Sequence, residues 1–453
     1  MSFLYISLSE ILVFSDAYYF FENIVNMKKI VYFMMAAAIA LVSCKKTEDK
    51  INDVQVSLTK GGEAFAVENV EVSLRSSANA TVYTALTDAN GVAVFQMKAG
   101  AYEASATLYQ NSNIYNGTNS AVIVTDGAEN AFKLDMVASK TSQVIIKELY
   151  FGGCVDDAGK HFQYDKYVIL YNNSPVEADA SKYAFGMLCP TNSNMASKWM
   201  KDGKLSYTDY MPMWAACWWF QGSVKIPAYS QIVVAMNGAV NHSATVSNSV
   251  DLSHADYAMY DPEVFSNAKA YPAPDASIST DHYLKTYLYG MGNAWPLSVT
   301  SPGFVVFAPE GTTTEAFVKN PDNIEMPANA MQSAKVPLDW VKDAVEVFDN
   351  SKMDVNAKRV LASADAGYVR FVNKLGHTVY RNVDKAATEA LPENEGKLVY
   401  NYAGGTEAEE GGSTDPSGID AEASIANGAH IIYKDTNNST NDFHQRKVAS
   451  LKK

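Results

Sequence analysis

The sequence predicts a mainly β protein, in which a small N-terminal antiparallel β-sandwich precedes a larger β-sandwich with long insertions. Residues 51 to about 137 run in short segments that alternate apolar and polar side chains, separated by turn residues and without a helical period. Two apolar strands, at residues 144–150 and 165–173, then open a second and much longer unit. About 410 residues follow Cys44, enough for two or three domains whose cores need no covalent staples.

The chain opens awkwardly. Glu10, Asp16 and Glu22 precede Met27-Lys28-Lys29, an apolar run from Ile30 to Val42, and then Leu41-Val42-Ser43-Cys44. A basic head, an apolar stretch of roughly 7–15 residues and a small residue before the cut describe a secretory signal. The run is too short to span a membrane, which takes about 20 apolar residues. Residues 27–43 are therefore read as a signal peptide, and residues 1–26 as a start codon placed too early or a disordered extension. Leu-Val-Ser-Cys also resembles the bacterial lipobox, which implies acylation of Cys44. A cytosolic core helix with a buried cysteine is the competing reading. The polar Lys45-Lys46-Thr47-Glu48-Asp49-Lys50 that follows at once argues against it. One acyl chain holds a protein only marginally to a membrane and two or more hold it stably. A triacylated Cys44 would thus be a permanent anchor, with residues 44–50 as a lipidated stalk. Glu48-Asp49 resembles the acidic signal that sends many Bacteroidota lipoproteins to the cell surface.

Residues 51–140 are assigned to the small sandwich. Val54–Leu58, Val70–Leu74 and Thr81–Leu86 each read as half-buried strands, and Asp88-Ala89-Asn90-Gly91 is turn chemistry with a strong hairpin signal. Val92–Phe95, Tyr102–Ala106, Ala121–Val124 and Ala131–Met136 complete about seven strands. The run Thr87-Asp88…Gly91…Phe95…Gly100…Tyr102 resembles transthyretin-like and Cna-B-like extracellular domains, which implies a spacer.

Residues 142–453 form the second unit. Ile146-Lys147-Glu148-Leu149-Tyr150 and the strand from Asp165 to Asn173 resemble the opening of lamin-tail-like domains, which are immunoglobulin-like β-sandwiches. Ile226-Pro227-Ala228-Tyr229 leading into Gln231–Ala235 looks like that family's third strand. Residues 142–453 as a whole are also similar to an uncharacterised family of Bacteroidota outer-membrane lipoproteins. That resemblance is strongest at Asp435-Thr436-Asn437-Asn438-Ser439-Thr440-Asn441-Asp442-Phe443. It implies accessory binding beside outer-membrane uptake receptors and supplies no catalytic role.

Composition narrows the partners. Residues 1–43 hold three acids and two lysines, so the chain from Cys44 onward carries 34 basic and 47 acidic side chains. Nucleic-acid binding needs a basic face, and none is in view. Cys154, Cys189 and Cys217 are an odd trio without CxxC spacing, which argues against a disulfide framework or a cysteine zinc site.

No HExxH, GxSxG or GxxxxGK[ST] sequence is present. Histidines near acids are the remaining metal candidates, and His242, His254 and Asp256 are the best grouped of them. Asp435, in its Asp/Asn-rich loop, is a candidate ligand for a structural calcium ion, although such residues also make ordinary turns. No other cofactor is expected. The most distinctive feature is aromatic: Trp199, Tyr207, Tyr210, Trp214, Trp218, Trp219 and Phe220 fall within 22 residues. Tryptophan and tyrosine collect at binding faces, but also fill cores. Trp199, Tyr210, Trp214, Trp218 and Trp219 are therefore candidate binding residues, with core packing as the alternative. Alternation along a strand would bury at least one ring of Trp218-Trp219-Phe220.

The expectation is a surface-exposed outer-membrane lipoprotein that binds without catalysis, associated with a TonB-dependent nutrient uptake system. A hydrolase with its active site in the insertions is the first rival, and a structural or adhesion stalk is the second.

Overall fold

The computed structural model describes residues 50–79, 81–110, 113–139, 141–201, 204–326, 332–406 and 412–452. The signal segment and Cys44 lie outside the described residues. Asn52–Lys453 form one compact unit, and no described helix is long and apolar enough to cross a membrane.

The small sandwich contains β1 (Ile51–Lys60), β2 (Glu71–Ser76), β3 (Val82–Leu86), β4 (Val92–Lys98), β5 (Gly100–Gln110), β6 (Asn113–Val124) and β7 (Asn130–Asp135). One sheet pairs β1 with β4, β7 and the short Glu63–Ala64. The other has the order β3-β2-β5-β6, extended by Val137–Ser139. Alternation does the sorting: Val54, Val56 and Leu58 of β1 meet Val72, Leu74, Phe95, Met97 and Leu134 in one core. Two departures from expectation are informative. The Asp88–Gly91 turn closes as predicted, with Gly91 N–H donating to Asp88 O at 2.9 Å, but β3 and β4 lie in different sheets, so it makes no hairpin. Gly91 sits at φ +76°, and a Cβ there would strike the Phe65 carbonyl. The pairing is also not wholly antiparallel, because β1 and β7 run parallel from Val54↔Asn130 to Thr59↔Asp135. At the sheet edge, β3 is mostly exposed rather than half-buried.

The larger sandwich also has two sheets. Its six-stranded sheet has the order Tyr257–Ala258, β12 (Gln231–Ala235), β9 (Tyr167–Asn172), β8 (Val144–Tyr150), β18 (Thr378–Arg381) and β19 (Phe443–Arg446). The three strands read from the sequence, β8, β9 and β12, are thus neighbours. The opposing eight-stranded sheet runs Ile324–Glu325, β15 (Ser333–Pro337), β11 (Tyr210–Trp219), β10 (Ala184–Leu188), β14 (Gly303–Phe307), β16 (Val341–Asp349) and β17 (Val369–Phe371), with β13 (Lys285–Leu288) paired to β11. The residues expected to be insertions between strands of the first sheet therefore build the second sheet.

Both faces of the six-stranded sheet are covered. Val144, Ile146 and Leu149 face the core between the sheets, whereas Ile145 packs outward against Ile419, Ala421, Ile431 and Tyr433. Every residue of β8 is buried, including Lys147 and Glu148. Buried charges need partners. Lys147 Nζ meets Glu422 Oε1 at 2.7 Å and donates to Gln231 Oε1 at 2.7 Å. Tyr167 donates its hydroxyl proton to Glu148 Oε1 at 2.7 Å. The outer face of the eight-stranded sheet is closed by helix α1 (Thr314–Lys319), whose Phe317 and Val318 pack on Met213, Cys217 and Phe307. Cys154, Cys189 and Cys217 are all buried and free, so no disulfide joins them.

Candidate binding site

The aromatic cluster divides by strand alternation. On β11, Trp218 enters the core between the sheets, where it packs with Phe265, Tyr271 and Trp295. Trp219 points to the other face and remains half-buried beside the α1 cluster. Trp199 is buried with Cys189 and Tyr207. Trp214 and Tyr210 are half-buried against the same group, and Tyr210 donates to Glu325 Oε2 at 2.8 Å. Trp199 and Trp218 thus serve packing, Trp218 because a ten-residue central strand must fill both faces of its sheet and Trp199 in a separate cluster beside it. Trp214, Trp219 and Tyr210 keep some exposure, but no common open platform gathers the five.

The proposed metal ligands are not brought together. Among the described residues, no group of three or more His, Cys, Asp or Glu is placed to hold an ion. His242 is buried, with Nε2 at 2.7 Å from Gly238 O. His254 and Asp256 are exposed, and Asp256 Oδ2 accepts from Val233 N–H at 2.7 Å. The calcium candidate at Asp435 is replaced by a guanidinium. Arg381 pairs with Asp343, and its Nη1 lies 3.5 Å from Asp435 Oδ1 and 3.7 Å from Asp442 Oδ2. One buried arginine therefore faces three carboxyl groups. Asp442 accepts from Thr436 N–H at 2.8 Å, Thr436 Oγ1 at 2.6 Å and Asn438 N–H at 3.2 Å, and burial raises it to about 6. Asp435 has only the Ser142 N–H at 3.3 Å besides Arg381, and burial pushes it up to about 8. Burial therefore favours its protonated form.

The same 435–442 segment is the joint between the sandwiches. Buried Asn116 of β6 donates to the carbonyls of Thr436 and Asn437. Asn441 Nδ2 donates to Thr107 Oγ1 at 3.2 Å, and Thr118 Oγ1 to Ala366 O at 3.2 Å. Glu103 of β5 accepts from the Tyr368 hydroxyl at 2.6 Å and lies 3.6 Å from Arg370 Nη2. The small sandwich is docked by polar contacts and does not hang as a bare spacer.

Several openings border this joint, one of about 480 Å³ lined by Ala138, Asp209, Asp339, Lys342 and Asn437 among others. A groove of about 800 Å³ runs between β2, β3 and the larger sandwich, lined by Glu71, Arg75, Thr84, Asn382, Asp384 and Lys434 among others. A cavity of about 400 Å³ has Arg75, Glu103, Phe348, Lys358 and Tyr368 in its wall. Arg75, Ser105 and Thr440 border both. A separate cavity of about 380 Å³ in the larger sandwich is lined by Tyr164, Lys166, Asn192, Asn237, Asn267 and Trp295. There Lys166 donates to Leu297 O at 2.8 Å, and burial lowers its ammonium to about 8. Among the described residues, the carboxylates lining these openings are Glu71, Glu103, Asp209, Asp339 and Asp384, and no histidine or cysteine joins them. Hydroxyls, amides and cations in these walls suit the binding of a polar ligand. Sequence reasoning missed Arg75, Glu103, Tyr368 and Arg370. Each sits at an ordinary outward or loop position, and only docking of the two sandwiches makes them neighbours.

The fold and the joint define a mainly β protein of two sandwiches with polar openings at their seam. A family model described as "Protein of unknown function (DUF4876)" matches residues 229–403. The solved structure of a DUF4876 family protein from Bacteroides thetaiotaomicron VPI-5482 is 21% identical, with a TM-score of 0.49, over 86% of this chain and 94% of that one. A DUF3823 family protein from Parabacteroides merdae ATCC 43184 gives 11% identity and a TM-score of 0.16 over 40% of this chain and 81% of the other. A streptococcal ancillary pilin gives 13% and 0.17 over 42% and 60%. No curated protein matches the chain. The family model that matches is of unknown function and names no activity.

Proposed function

We propose that this protein is a surface-exposed outer-membrane lipoprotein, anchored at Cys44, that acts as a non-catalytic accessory binding protein of a TonB-dependent nutrient uptake system. The observation that carries the binding part is the seam: the two docked sandwiches leave a groove of about 800 Å³ walled by hydroxyls, amides and charges. A stalk has no use for such an opening. The anchor part rests on the Lys28-Lys29, apolar run and Leu-Val-Ser-Cys44 order. The adjacency of β8, β9 and β12 supports a lamin-tail-like reading of the larger sandwich. The seven main strands of the small one support a transthyretin-like or Cna-B-like reading.

Affinity capture of the native lipoprotein from gently solubilised outer membranes tests the uptake reading. Co-purification of a TonB-dependent receptor is the expected result. Recovery of the protein alone, from membranes in which other receptor complexes survive, overturns it.

A further inference from the structure

We propose that the cavity at the seam is a binding site for an oxyanion group, a carboxylate, sulfate or phosphate borne by a small polar ligand, gripped by Arg75 with Arg370 and Lys358 beside it. This rests on the binding reading above and names the chemistry of the ligand.

The register of β2 and β5 sets Arg75 directly opposite Glu103 on the same face. Cross-strand neighbours of opposite charge ordinarily pair. Here they do not, because Glu103 is taken by two groups of the larger sandwich, the Tyr368 hydroxyl at 2.6 Å and Arg370 at 3.6 Å. Arg75 is left half-buried, and its Nε is shielded from water without an acceptor. The Nε of Arg370 is shielded in the same way. Burial, and after it repulsion from Arg370, holds the Arg75 guanidinium below its usual value. Arg75 lines the cavity, so the remaining donors of its half-buried guanidinium are the ones an acceptor there can reach.

The charge around the cavity favours an anion. Lys358 lines it as well, held by Gly367 O at 2.6 Å and 3.8 Å from the buried Asp365. Arg75 and Lys358 thus outnumber Glu103 at the wall, with Arg370 behind it on Glu103, in a chain whose overall charge is −14. A guanidinium presents a planar fork of donors that matches an oxyanion in bidentate fashion. The Phe348 and Tyr368 rings, stacked at 4.2 Å and 13°, supply an apolar wall beside it. The cavity, about 400 Å³, accommodates a small ligand. Because Arg75, Ser105 and Thr440 border both openings, the rest of a longer ligand would continue into the groove.

The test uses the whole chain purified in detergent. Its unfolding midpoint and its binding heats are measured with sodium sulfate, sodium phosphate and sodium glucuronate in turn, against sodium chloride at equal ionic strength. At least one oxyanion should bind saturably, and Arg75→Met should weaken it roughly ten- to hundredfold, the effect of losing hydrogen bonds to a charged group. Sulfate and phosphate also stabilise proteins non-specifically, so the difference between wild type and variant is the readout. Without an oxyanion, R75M should be at least as stable as wild type, since Arg75 makes no hydrogen bond among the described residues and repulsion from Arg370 outweighs its attraction to Glu103. Arg75→Gln repeats the measurement if the methionine variant folds poorly. Equal binding by wild type and both variants, or no saturable binding of any probe, overturns the proposal. So does a loss of stability in both variants without ligand, which would make Arg75 a structural tie. Oxyanion binding without receptor capture would keep this site and remove the uptake reading, while capture without oxyanion binding would do the reverse.

Discussion

Asp435→Asn is the most incisive perturbation of the seam, because it tests whether a buried carboxyl at this place holds a proton and not a metal. Three carboxyl groups share Arg381, and the least supported of them, Asp435, is raised by burial from an ordinary 3.8 to about 8. Its folded value therefore exceeds its unfolded one. The folded state keeps a proton that the unfolded chain releases, so this contribution is present in full below about pH 4 and is lost as pH rises to about 8. At ~1.4 kcal/mol per pKa unit, a rise of about four units gives a ceiling of ~6 kcal/mol, spread across that window. Asp442, raised to about 6, adds a decline of ~3 kcal/mol confined to the lower half of the window. Asparagine keeps an oxygen for the Ser142 N–H and cannot titrate. Urea unfolding at half-unit steps from pH 4 to 9 should show wild-type stability falling more steeply than that of the variant, with the two curves converging or crossing near pH 8. Added calcium should leave both unchanged. Parallel curves would refute the buried proton. A wild-type midpoint that rises with calcium, and a variant that does not respond, would restore the metal reading.

Other consequences concern packing and pairing. Arg359 and Glu346 form a buried pair, Nε to Oε1 at 2.9 Å, and Arg359 also donates to the carbonyls of Pro190 and Ser301. Arg359→Met should cost ~3–5 kcal/mol by stranding Glu346, and adding Glu346→Gln should recover part of that loss in urea unfolding. A double variant no better than R359M would show that the charge is not the cause. Trp218→Ala should lose ~3–5 kcal/mol and Trp219→Ala less than ~2 kcal/mol, because only the first ring lies wholly in the core; the reverse order by chemical denaturation would refute the assigned faces of β11. Gly91→Ala should destabilise by ~1 kcal/mol or more, through its positive φ and the nearby Phe65 carbonyl. An unchanged thermal midpoint would argue that the turn relaxes freely.

Alternation and turn residues were enough for most strands of the small sandwich, and apolar runs for β8 and β9, because these are properties of neighbouring residues, whereas β12 was read from a resemblance. Alternation was also enough to place one ring of Trp218-Trp219-Phe220 inside, since adjacent strand residues face opposite ways. The mainly β class followed from the same local signals. Partnership was not legible. The Asp88–Gly91 turn looks the same in sequence whether it returns to its own sheet or crosses to the other, and that choice depends on which strands find β1. The aromatic segment read as an insertion because its strand, buried on both faces, does not alternate; it is the centre of the second sheet. Asp435 and its neighbours read as a cation loop until Arg381, 54 residues earlier in the chain, came to occupy the centre. Arg75 shows the limit most clearly. On its own strand it is one more solvated charge, and only docking of the larger sandwich, which engages Glu103 through Tyr368 and Arg370, leaves its guanidinium without a hydrogen-bond acceptor among the described residues beside a cavity. Sequence determines which faces can be buried, whereas the pairing of charges across a seam is decided by distances that exist only after the two sandwiches meet.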